Sequence, residues 1–102
     1  MADTINVTNF LENTVASAVL VGTSTNQVIT NTANGVTIDA LGGADYINNS
    51  GSNVLIKGGA GKDQITLNDG ENVTVIGGAD NDTITNNGSN PVLYQWSLND
   101  GS

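Results

Sequence analysis

Val36-Thr-Ile-Asp-Ala-Leu-Gly-Gly-Ala-Asp-Tyr-Ile47 aligns without gaps on Val54-Leu-Ile-Lys-Gly-Gly-Ala-Gly-Lys-Asp-Gln-Ile65 and on Val73-Thr-Val-Ile-Gly-Gly-Ala-Asp-Asn-Asp-Thr-Ile84. The step from Val36 to Val54 is 18, and that from Val54 to Val73 is 19. Self-similarity at so short a period marks a repeat architecture, in which each copy is one supersecondary unit that buries its apolar face only by stacking on its neighbours. The frame extends outward: Val19-Leu20-Val21 precedes the first copy at a step of 17, and Val92-Leu93-Tyr94 follows the last at a step of 19. A second apolar series, Ile29, Ile47, Ile65 and Ile84, falls between these at steps of 18, 18 and 19.

Each period therefore holds two short strands and two turns. Strands this short do not fold alone, but stacked coils pair every backbone group at about 4.8 Å per coil. Alternation along a strand sends Val36 and Ile38, Val54 and Ile56, Val73 and Val75, and Val92 and Tyr94 to one inner wall. The isoleucine series supplies the facing wall. The predicted fold is all-β: a parallel β-solenoid, or β-roll, of about five coils with 18–19 residues per coil and two facing sheets. Residues 1–18 read as an N-terminal strand and cap with a helical turn around Asn9–Val15, residues 19–94 as the repeats, and residues 95–102 as a C-terminal cap or tail in which Trp96 and Leu98 cover the last coil.

The composition agrees with a thin, efficient core, since only 37% of residues are hydrophobic. Ten acidic residues against Lys57 and Lys62 give a formal charge of -8, which disfavours nucleic acid and anionic membrane as partners and favours cations. With neither cysteine nor histidine, disulfides, thiol nucleophiles, Ser-His-Asp triads and ordinary zinc sites are excluded, leaving oxygen-ligated metals. The apolar stretch Val15 to Val21 is too short to span a bilayer, and Asp3 and Glu12 precede it where a signal peptide carries basic residues; an export signal would lie outside this sequence.

The turns differ in chemistry along the two edges. One edge carries Gly22–Gln27, Asp39–Asp45, Lys57–Asp63 and Ile76–Asp82, and the other is rich in Asn, Gly and Ser. Gly58-Gly-Ala-Gly-Lys-Asp63 followed by Gln64-Ile65 has the form G-G-x-G-x-D-x-U, with U a large aliphatic residue. Glycines let such a turn direct its carbonyl oxygens outward, and calcium needs six to eight oxygens, more than one turn offers, so stacked turns would share an ion. Asp45, Asp63 and Asp82, stacked about 5 Å apart, would repel by about 3 kcal/mol at an effective dielectric of 20 unless a cation lay among them.

These residues resemble the hemolysin-type calcium-binding repeats, the repeats-in-toxin (RTX) family of secreted bacterial proteins. The resemblance covers roughly residues 36–94. It implies that Gly58, Ala60 and Asp63 face Gly78, Asp80 and Asp82 across one calcium site, and that Gly59, Gly61 and Asp63 face Gly42 and Asp45 across another. The first copy departs from the pattern at Ala40-Leu41, where the family has paired glycines, and the Asn-rich edge lacks the motif, so calcium is expected on one edge only.

The expected function is a non-catalytic, calcium-binding structural module of a larger, extracellular bacterial protein, with no enzymatic activity and no membrane insertion. The alternative is a module that uses a flat sheet face to bind carbohydrate or to self-associate. Leu55, Ile76 and Leu93, on outward positions, are a candidate surface for self-association.

Overall fold

The runs of β-branched residues each become a strand of three to five residues, and each strand pairs in parallel with the strand one period away. The computed structural model describes residues 4–78, 82–88 and 92–95, the last four as backbone only. Along the chain lie β1 Thr4–Asn6, β2 Phe10–Asn13, β3 Val19–Thr23, β4 Val28–Asn31, β5 Thr37–Leu41, β6 Tyr46–Asn49, β7 Leu55–Lys57, β8 Gln64–Leu67, β9 Val73–Ile76, β10 Thr83–Asn86 and β11 Val92–Gln95. Odd-numbered strands form a six-stranded sheet in the order β1-β3-β5-β7-β9-β11, and even-numbered strands a five-stranded sheet in the order β10-β8-β6-β4-β2. The chain is an all-β, parallel β-solenoid, each coil giving one strand to each sheet.

The core is the pair of facing ladders read from the sequence. Val36, Ile38, Val54, Ile56, Val73 and Val75 are buried on one sheet, opposite buried Ile29, Ile47 and Ile65 on the other, with Ile84 packed against them. β-Branched side chains suit this arrangement because their stiff χ1 costs little extra entropy on a pleated surface. Each fully buried Ile or Val contributes roughly 1.5–3 kcal/mol, which is how a modest apolar content can sustain the fold.

Two expectations are corrected. Val19 pairs with Thr37, not Val36, so the spacing there is 18; Leu20 and Ala18 point inward and are buried. A contiguous apolar run such as Val19-Leu20-Val21 does not reveal its parity, and a one-residue slip exchanges the two faces. No helical turn forms around Asn9–Val15: Phe10–Asn13 is β2, paired with β4 from Phe10↔Val28 to Asn13↔Asn31. Residues 4–13 thus form another coil, with Thr4 paired to Val19. Its turn at the glycine edge has only Val7, Thr8 and Asn9 where the next coil has Gly22–Gln27, and this shortening breaks the period. Leu55 and Ile76 alternate with buried neighbours, so they lie on outward positions as read, and they are half-buried; the exposed apolar side chains of the outer surface include Phe10, Val28 and Tyr46, in register on the five-stranded sheet.

The backbone of β11 pairs Val92 with Val73 and Leu93 with Thr74. The side chains of Val92, Leu93 and Tyr94, together with Trp96 and Leu98, lie outside the described residues. No helix among the described residues is long and apolar enough to cross a membrane.

Candidate metal column at the glycine edge

The alternation that buries the isoleucines continues past them on both sides. In one coil Asp45, Ile47 and Asn49 are successive inward positions, and in the preceding coil Gln27, Ile29 and Asn31 are their counterparts. Two buried polar columns therefore flank the apolar core: Asn13, Asn31 and Asn49 at one edge, and Gln27, Asp45, Asp63 and Asp82 at the other.

The asparagine column satisfies itself. Asn13 Nδ2 donates to Asn31 Oδ1 at 2.8 Å, and Asn31 Nδ2 to Asn49 Oδ1 at 2.8 Å. Each also closes its own turn, Asn31 Nδ2 donating to the Ala33 carbonyl at 2.9 Å and Asn49 Nδ2 to that of Gly51 at 3.0 Å. A carboxamide carries donors and an acceptor, so it stacks on copies of itself.

The aspartate column has no such complementarity. Each carboxylate accepts from the backbone one coil earlier: Asp45 Oδ1 from Gln27 N at 2.9 Å, Asp63 Oδ1 from Asp45 N at 2.8 Å, and Asp82 Oδ1 from Asp63 N at 2.9 Å. The second oxygens of Asp45 and Asp63 are buried and meet no hydrogen-bond donor. An ionised carboxylate only accepts, so a stack of them requires protons or a cation. Burial is the main cause that pushes the Asp45 carboxyl up to about 6, opposed by the Gln27 amide. It likewise pushes Asp63 up to about 8, with the charges of Asp45 and Asp82 adding to the rise.

Glycine makes the turns tight enough to bring oxygens together. Gly59 has φ 83°, and a side chain there would collide with the Leu41 carbonyl oxygen of the preceding coil. At Gly58 a Cβ would lie 2.7 Å from both Asp63 Oδ2 and the Gly77 carbonyl oxygen. The bare backbone thus admits a carboxylate and a main-chain oxygen of the next coil into one small volume.

Of the residues singled out in the sequence, Gly42, Asp45, Gly58, Gly59, Ala60, Gly61, Asp63, Gly78 and Asp82 all fall on this edge; Asp80 lies outside the described residues. Successive turns stack in the register of the strands that lead into them. Gly59 and Gly61 approach the Leu41 and Gly43 carbonyls, Gly78 approaches Gly59, and Gly42 lies against Ser24. No group of three or more acidic side chains converges on a point among the described residues, so an ion here would draw on main-chain carbonyls with one or two carboxylates. Such a mixed oxygen set suits calcium. The sequence places Gln27 and Leu41 on this edge but does not single them out as members of the site; the signal for Gln27 was its place one full period before Asp45.

Compared with models of protein families, with curated proteins and with solved structures, the chain gives no match.

Proposed function

We propose that this chain is a non-catalytic structural β-solenoid module stabilised by calcium along its glycine-aspartate edge, as the resemblance to the repeats-in-toxin family implies. The observation that carries this reading is the pair of buried Asp45 and Asp63 Oδ2 atoms without a donor, beside turn backbone held open by glycine. Asp45 and Asp63, with main-chain oxygens of the stacked turns, would hold the ion, which supplies the positive charge that the column lacks. At several millimolar calcium, typical of an extracellular setting, a site with a dissociation constant of about 10⁻⁴–10⁻³ M stabilises the fold by about 1–2 kcal/mol.

The test is thermal melting of the parent and Asp63→Asn, with and without calcium. The parent melts higher in calcium. Asp63→Asn keeps an acceptor for Asp45 N, gains a donor and loses the charge; it forfeits most of the calcium-dependent rise, yet in chelator melts no lower than the parent. If Asp63 is simply part of the turn's scaffolding, the variant loses equally under both conditions, and that result refutes the calcium reading.

A second reading has one observation in its favour. Phe10, Val28 and Tyr46 form an exposed stripe on the outer face of the five-stranded sheet, the sort of surface that stacks on sugar rings or on a second copy. Glycan arrays and concentration-dependent sedimentation test it, and Phe10→Ser with Tyr46→Ser abolishes any binding found.

A further inference from the structure

Gln27 occupies the aspartate column but meets none of its difficulty. It is buried, its backbone N–H donates to Asp45 Oδ1 at 2.9 Å, and it stands one period before Asp45 as Asp45 does before Asp63. Its carboxamide, however, is fully matched. Oε1 accepts from Thr23 N at 2.9 Å within its own turn, while Nε2 donates to the Val7 carbonyl at 2.7 Å and also to that of Thr8. Oε1 lies against Gly22 as Asp63 Oδ2 lies against Gly58, so the two side chains fill equivalent places in their turns. Where Asp63 leaves an oxygen without a donor, Gln27 brings its own nitrogen to the carbonyls of the coil below.

We infer that Gln27 is the built-in end of the ion column: its amide nitrogen takes the part of a cation towards Val7 and Thr8, so that no calcium binds between the first two coils. This rests on the calcium reading above and adds to it which residue sets the number of ions. The first coil fits the role, because its turn at this edge is cut to Val7, Thr8 and Asn9 and has neither the glycines nor the aspartate of the later turns. Two of its carbonyls nevertheless converge on one side-chain atom.

Gln27→Glu tests this with the smallest change, placing an oxygen where Nε2 now donates. Three oxygens would then converge with no hydrogen between them. Bound calcium is counted by isothermal calorimetry and native mass spectrometry, and melting is followed in chelator and in several millimolar calcium. The expected result is one ion more than the parent, a lower melting temperature than the parent in chelator, and recovery of that loss in calcium. Gln27→Ala is the companion: it leaves the two carbonyls without a donor, adds no ligand, and melts lower by the same amount in both conditions with an unchanged ion count. A folded Gln27→Glu chain with the parent's ion count overturns the inference and leaves the calcium reading standing. So does a Gln27→Glu chain that stays unfolded in calcium while the parent binds it. If the parent binds no calcium, both fall together.

Discussion

Leu41 holds a backbone conformation ordinarily left to glycine. Its φ is 64°, against 83° and 91° at Gly59 and Gly78 in the next two coils, and its side chain is largely exposed. A left-handed conformation costs a residue with a Cβ roughly 1–2 kcal/mol, while an exposed leucine recovers little by burial. Leu41→Gly is therefore expected to raise stability by about 0.5–1 kcal/mol after the entropy of glycine is charged against it, a gain read by urea denaturation. The same residue shows why local chemistry was only partly legible. Motif reading treats Ala40-Leu41 as a departure from paired glycines, but the neighbouring coils impose the turn on it regardless. The part played by Gln27 was hidden for a related reason: it satisfies the column's geometry without carrying the charge that makes the motif recognisable.

Among the elements, the asparagine ladder is where side-chain hydrogen bonding bears most directly on stability. Asn31 is its middle member, bonded to Asn13 on one side and Asn49 on the other. Asn31→Ala strips Asn49 Oδ1 and Asn13 Nδ2 of a partner within the core and opens a cavity. We expect a loss of about 2–4 kcal/mol by urea denaturation, and only about 1–2 for Asn13→Ala, because Asn13 ends the ladder and its loss deprives one neighbour of a bond instead of two. The next position in the column is Leu67, and there the turn after the strand also lengthens: Ser50, Gly51, Ser52 and Asn53 separate Asn49 from Val54, whereas Asn68, Asp69, Gly70, Glu71 and Asn72 separate Leu67 from Val73. From β4 to β10, by contrast, the strands on either side of the glycine edge advance by a common step, so its turns keep one length. The ladders of valine and isoleucine were legible because their side chains repeat in kind. The first coil was not, because its shortened turn breaks the period that made the others visible.

For the whole molecule, the burial of carboxylates sets the dependence on pH. Asp45 and Asp63 have folded-state pKa values raised from 3.8 to about 6 and about 8. The folded chain thus holds more protons than the unfolded chain across that window. The stabilising contribution of these groups is fully present below about pH 4 and is lost as pH rises through about 6 and then about 8. In calcium-free buffer the melting temperature should fall between pH 5 and pH 8, and saturating calcium should flatten or reverse that fall, because the ion competes with the proton for the same oxygens. A melting temperature that rises with pH in calcium-free buffer would contradict the assignment of buried, unpaired carboxyls. With a formal charge of -8 and two lysines in the chain, little else offsets these charges when the protons leave.

The aspartate ladder also has a sense of travel. Each carboxylate reaches back to close the backbone of the coil before it, Asp63 serving Asp45 and Asp82 serving Asp63. A coil is consequently finished by the arrival of its successor, like a row of roof tiles in which each course holds down the one already laid. Unwinding that starts at the C-terminal side lifts one tile at a time and, within this column, uncovers one amide at each step. Unwinding from the N-terminal side instead strands a carboxylate that has lost the amide it was covering. The two ends of the same repetitive column thus fray with different chemistry, the first exposing a donor and the second a negative charge.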